Sequence, residues 1–341
     1  MEGSGVAHLW DGLGIEMSVQ PSIVRAETTR GRRTEGVKRM KRVASRARVL
    51  TALIAGLAMT GGAAAFTEPA LSQSPVELVR ETVENEARSS TGGARSMFRD
   101  HQETLYGSRT KLVVETREGT AGMLVEINGK PLNATQREAE RERLAGLVND
   151  PQELKRKQKT ERDDAERTTR MVKALPDAFL YEFDGAEAGK AGVGKLGSQL
   201  LRLKFRPNPK YDPPTRTEQV LAGMQGYLLI DASQHRIAEI DGTLFKDVGF
   251  GWGILGHLDK GGHFLVVQGD MGNGDWEISR MELNFTGRVL LFKKINIKSN
   301  EIFSDFRPTP PDLTFAQAVE LLKKQAAELA ENRSQEEDAQ R

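Results

Sequence analysis

Cysteine is absent from all 341 residues. That excludes disulfides, thiolate metal sites, a cysteine nucleophile and a lipid-modified cysteine at a processed N-terminus, but it does not exclude export. A surplus of either charge is also missing, since 49 Lys and Arg stand against 48 Asp and Glu. Binding along a phosphate backbone needs a strong basic excess, so nucleic acid is set aside as a partner. Nucleophile elbows of the G-x-S-x-G form and metalloprotease histidine pairs are absent too, and no motif assigns a catalytic residue, a metal or a cofactor. What is present, 38% hydrophobic and 28% charged residues, builds one principal domain with solvated additions.

The N-terminal part reads as an export signal. Lys38–Arg48 is densely basic, and Val49–Phe66 follows without a charge and ends in small residues. Residues 1–39 are expected to be a surplus or disordered leader with Met40 as the initiator. Residues 40–72 would then be a signal peptide cut after Ala65 or Ser72, which delivers the chain to the periplasm or outside the cell. The alternative is an uncleaved anchoring helix, because the uncharged span approaches membrane-crossing length.

From residue 73 the patterns change several times. Ser74, Pro75 and Glu77 write a helix start, and Val76, Val79, Val83 and Ala87 recur at helical spacing to about Ser89. Three short strands follow from Met97 to Leu132, the last hairpin marked by Asn128-Gly129. Residues 134–175 then form two helices broken near Asn149-Asp150-Pro151. The second is charged almost all round and is expected to project as an insertion. Gly189–Lys195 matches seven positions of a phosphate-binding loop, but Leu196 stands where Ser or Thr is required and a strand pattern follows instead of a helix. The segment is therefore read as a flexible hairpin loop.

Gly223–Arg307 is written as a meander, with turns expected at Gly272–Gly274 and at Gly287. Trp276 and Ile278 have one parity while Met281, Leu283 and Phe285 have the other, which predicts a bulge near Ser279-Arg280. A capping box at Thr314 and Gln317 opens a closing helix over 313–332, and 333–341 reads as a disordered tail. The domain proper is 73–312. Its predicted class is mainly β with α additions: a curved antiparallel sheet or incomplete β-barrel, covered by N- and C-terminal helices, with the charged helical insertion.

Two groups of residues are candidates for binding. The glycine-spaced VGFGWGILGHL, with the strand after it, supplies Phe250, Trp252, Ile254, Leu255, Trp276 and Ile278 as an apolar cavity wall. The proline-rich FRPNPKYDPPTR supplies Arg206, Lys210, Tyr211 and Arg216 as a polar mouth. The one His and carboxylate cluster, His257, Asp259 and His263, lacks a third nitrogen ligand and reads first as polar residues around a turn.

GYLLIDASQHRIAEIDG, GILGHLDKGGHFLVVQ and DWEISRMELNFTGRVLLFKKINI, behind an opening amphipathic helix, give the chain a pattern that resembles the periplasmic lipoprotein-carrier superfamily of the LolA/LolB/RseB type, mainly over Gln219–Phe306. The resemblance implies a curved half-barrel whose apolar concave face receives acyl chains, and a basic residue near the mouth that no motif places here. The leading expectation is an exported carrier or sensor whose partner is a lipid or an acylated protein. The alternative is a non-catalytic envelope protein that presents 134–175 to a protein partner. A hydrolase around His257, Asp259 and His263 is the minor one.

Overall fold

Strand-forming runs with period-two alternation pair here into one open antiparallel sheet, as the sequence predicts. The computed structural model describes residues 73–92, 95–250, 256–272, 275–289 and 293–339. Helix α1 (Pro75–Gly92) precedes β1 (Ser96–Thr104), β2 (Gly107–Thr116), β3 (Gly119–Ile127) and the short β4 (Lys130–Pro131). Helices α2 (Ala134–Asn149) and α3 (Pro151–Ala178) lead to β5 (Phe179–Ala188) and β6 (Gln199–Pro207). After a 3-10 turn come β7 (Met224–Asp231), β8 (Arg236–Leu244), β9 (Val248–Phe250), β10 (Gly256–Leu258), β11 (His263–Asp270), β12 (Trp276–Val289), β13 (Lys293–Pro308) and α4 (Phe315–Ala339).

The strand order is β4-β3-β2-β1-β13-β12-β11-β8-β7-β6-β5, with β10 on the far end of β12 and β9 on β10. The two meanders are thus sewn together by β13, which returns to pair with β1. Asn128 and Gly129 take the positive φ of 53° and 70° that their hairpin needs. The predicted bulge is present: pairing with β11 shifts between Val267 and Gln268 and leaves Ser279 as the extra residue. It returns Met281 to the face of Ile278, and both pack with Phe98, Val113 and Phe303. Gly287 is not a turn. It lies inside β12, where a Cβ would stand 2.2 Å from the His257 carbonyl oxygen of β10, and β13 runs unbroken from Lys293 to Pro308.

Curvature follows from α3. Gln158 donates to the Glu118 carbonyl before β3, while the Leu175 carbonyl accepts from the Tyr181 hydroxyl of β5. About 26 Å of helix separates those two residues. Laid flat, the strands from β3 to β5 would put about 43 Å between the same contacts. The sheet must curl to meet the helix at both ends, and register shifts in five of its pairings supply the bends.

The charged segment is helical with its break at Asn149-Asp150-Pro151, but it does not project. Asn133 and Gln136 form a capping box on α2, and Asp150 caps α3 through the amides of Gln152 and Glu153. Both helices lie along the outer edge of β3, which β4 covers only at Glu126 and Ile127. There Glu140 accepts from the Leu124 amide, Arg143 donates to the Gly122 carbonyl, and Glu161 accepts from the Thr120 amide. Alternating donors and acceptors on the helices take the place of a missing strand, which is why so many charges occur on elements that bury few apolar side chains.

On the opposite face of β1–β3, α4 buries Phe315, Ala318, Val319 and Leu322 against Met97, Leu112, Val114, Ala121 and Met123. Its capping box at Thr314 and Gln317 forms as expected, and the helix continues to Ala339, through most of the segment read as a tail. No described helix is long and apolar enough to cross a membrane; the stretch Val49–Phe66 lies outside the described residues.

The glycine-rich Gly189–Lys195 is packed into the sheet. The Gly194 amide donates to the Gln268 carbonyl at 2.8 Å, its carbonyl accepts from Asp270, and its φ is +66°. Gly194→Val would force a β-branched residue into that conformation and against Leu200, 2.7 Å from the new Cβ. The variant is expected to lose about 2–3 kcal/mol in urea unfolding, while Lys195→Ala stays within about 0.5 kcal/mol.

Candidate functional site

Directly paired residues share a face of the sheet, so the registers identify what lies beneath α2 and α3. Phe98, Asp100 and Gln102 of β1 stand opposite Val113, Lys111 and Arg109 of β2. On the other side Asp100 faces Phe303 and Gln102 faces Glu301 of β13. Gly122 and Leu124 of β3 extend the row. Glu140, Arg143 and Leu147 of α2, with Glu153 and Lys157 of α3, close over these strands and leave a cavity of about 670 Å³. Its volume lies in the range of ligand sites.

The cavity has two chemistries. Phe98, Val113, Leu124 and Phe303 make an apolar floor, Leu147 of the covering α2 adds to the apolar lining, and Phe98 stacks further on Phe306 with ring centroids 5.3 Å apart. Beside these residues, on the same face of β1 and β13, stand two inward carboxylates. Glu301 is 8% exposed, and its Oε1 accepts from Gln102 Nε2 at 2.5 Å and from the Ser299 hydroxyl at 3.1 Å. Asp100 lies 3.8 Å from Lys111 through Oδ2, while its buried Oδ1 has no hydrogen-bond partner. The walls are therefore not the uniformly apolar surface expected from the sequence.

Burial raises the Asp100 carboxyl above its ordinary range, against the pull of Lys111 and His101. Glu301 is raised by burial and then by the neighbouring Asp100 charge, against the hydrogen bonds from Gln102 and Ser299. Both groups thus hold protons in the folded chain at pH values where the unfolded chain has released them. Their contribution to stability is full below about pH 4 and is lost as pH rises through the raised folded values. Glu301→Gln is expected to remove part of that loss. Melting temperatures at pH 4, 6 and 8 should fall less with pH in the variant, which should be the more stable of the two at pH 8. Parallel curves for the two proteins would refute the assignment.

The residues singled out from sequence are distributed differently. Phe250 is 1% exposed in β9. Trp276 packs with Leu200, Leu229 and Ala238, donates from Nε1 to Gln234 at 2.7 Å and lies under the Arg236 guanidinium. Ile278 packs against the floor residues Phe98, Val113 and Phe303. Trp252, Ile254 and Leu255 lie outside the described residues. Arg206, Lys210 and Arg216 are exposed and do not line this cavity. Tyr211 turns to Glu218, where burial and that carboxylate push its hydroxyl up to about 12. His257 meets Asp259 at 3.1 Å, whereas His263 meets Asp241 at 3.3 Å, so the three residues of the HLDKGGH cluster do not converge. No group of three or more metal-ligating side chains occurs among the described residues.

Asp100, Gln102, Lys111 and Glu301 were not singled out by sequence, yet β1 carries a signal. Its central run Arg99–Thr104 is polar at every position, although β1 lies in the middle of the sheet. A central strand without an apolar face has a wet face, and here that face is the cavity wall.

No family model matches the chain, and no curated protein does. Among solved structures it is similar to the crystal structure of a DUF1329 family protein from Desulfovibrio piger, with 9% identity and a TM-score of 0.24, over 69% of this chain and 94% of that one.

Proposed function

We propose that the protein is an exported, non-catalytic carrier or sensor that binds an amphiphile, either a lipid or an acylated protein, in the manner of the periplasmic lipoprotein carriers its sequence resembles. The observation that carries this reading is the mixed lining of the cavity, in which Phe98, Val113, Leu124, Leu147 and Phe303 stand beside Asp100, Lys111, Arg109 and Glu301. An acyl segment needs only the apolar floor, since each methylene withdrawn from water contributes about 0.8 kcal/mol. The polar groups then set what the molecule's head can donate or accept. The unpartnered Asp100 Oδ1 is a vacant acceptor for a ligand hydroxyl or ammonium.

Native mass spectrometry of the purified chain, followed by organic extraction, tests the proposal. Expected are amphiphile adducts on the intact protein and displacement of a fluorescent fatty-acid probe by lysophospholipid. A bare mass together with no response to either probe would overturn it.

A further inference from the structure

The distal halves of β12 and β13 carry an unusual charge arrangement. Arg288 stands directly opposite Lys294, and on its other side opposite His257 of β10, so three basic side chains cross one face in a row. Lys298 follows on the same face of β13, opposite Asn284. Arg288, Lys294 and Lys298 are exposed, and none forms an ion pair among the described residues. Like charges placed directly opposite each other in a sheet destabilise it, so an outside anion would stabilise the Arg288–Lys294 pair. Carboxylates on the same face are already engaged: Asp259 with His257 and Thr286, Glu282 with Arg280, and Glu103 with His101.

Apolar surface adjoins the row. Thr104 pairs with Ser299, which puts the β1–β2 turn next to Lys298, and in that turn Leu105 is 48% and Tyr106 86% exposed. Uncompensated cations beside an exposed tyrosine and leucine match a bilayer interface, where the cations meet anionic headgroups and the amphipathic ring settles at headgroup depth. An acidic protein would satisfy the charges but would leave the apolar turn without a role.

We infer that Arg288, Lys294 and Lys298, with Leu105 and Tyr106, form a docking surface for an anionic phospholipid bilayer. Such contacts are worth about a factor of five in affinity per basic residue near the surface and weaken with salt. The inference is independent of what the cavity holds.

The full chain is mixed with vesicles of phosphatidylcholine alone or containing phosphatidylglycerol, and sedimented. Binding is expected to rise with the anionic fraction and to fall between 50 and 500 mM salt. Arg288→Glu/Lys294→Glu/Lys298→Glu is expected to bind anionic vesicles about a hundredfold more weakly, with unchanged binding to neutral ones; Tyr106→Ala is expected to weaken anionic binding several-fold. If the triple variant fails to fold, Lys294→Ala/Lys298→Ala replaces it, with an expected loss of at least tenfold. Equal binding by parent and variant, no preference for anionic vesicles, or binding to polyglutamate without binding to vesicles would each overturn the inference.

Discussion

Replacing Glu140 by alanine is expected to cost about 3 kcal/mol of stability, although the residue sits on a charged helix that sequence reading treats as solvated. Glu140 is 8% exposed, accepts from the Leu124 amide at 2.7 Å and is bridged by Arg143, which also donates to the Gly122 carbonyl at 2.7 Å. Its removal leaves a half-buried backbone donor on the outer edge of β3 without that partner and frees Arg143 from the geometry that holds the neighbouring carbonyl. Two effects follow. The urea midpoint drops, and an edge that the helices had masked becomes available to another chain, so the variant should form concentration-dependent oligomers in sedimentation velocity. Lys159→Ala is the control. Its partner Asp163 lies four residues on in the same helix and is 43% exposed, so the loss should stay within about 0.5 kcal/mol. Equal losses in the two variants would mean that helix charge, and not edge sealing, supports the segment.

This contrast also shows which features the sequence could convey. Asn128-Gly129, the Thr314–Gln317 capping box and the Ser279 bulge are local, each written within a few residues, and each is found where its pattern stands. The union of β1 with β13 is not local. The two strands lie some two hundred residues apart in the chain, and nothing in either states that the other is its neighbour. Residues 134–175 misled for a related reason. A helix with few apolar positions looks solvated when the only burial considered is apolar; α2 buries Leu144 and Leu147, but α2 and α3 also dock through hydrogen bonds to β3, which add nothing to a hydrophobic stripe. The cavity was hidden likewise, since its carboxylates and cations come from β1, β2 and β13 and from α2 and α3, segments distant in the chain that meet only on folding.

Gly122→Trp is expected to leave the fold intact and abolish ligand binding. Gly122 lies on the cavity face of β3 opposite Val113, and a Cβ built there meets nothing within 4 Å. Its φ is not in the left-handed region that would demand glycine. An aromatic residue in a strand interior gains packing surface and loses the chain entropy of glycine, so stability should hold or rise by about 0.5–1 kcal/mol. The bond from Arg143 goes to the Gly122 carbonyl and therefore survives the substitution. The indole, however, would occupy the space above Phe98 and Val113 that an acyl segment needs. If it displaces about four methylenes, roughly 3 kcal/mol of transfer free energy is lost, a fall in affinity of about two orders of magnitude. Titration of a fluorescent fatty-acid probe against parent and variant, with urea unfolding run in parallel, separates the two quantities. Retained binding in a folded Gly122→Trp would move the ligand out of this cavity, since a Cβ at this position points into open space on the cavity face.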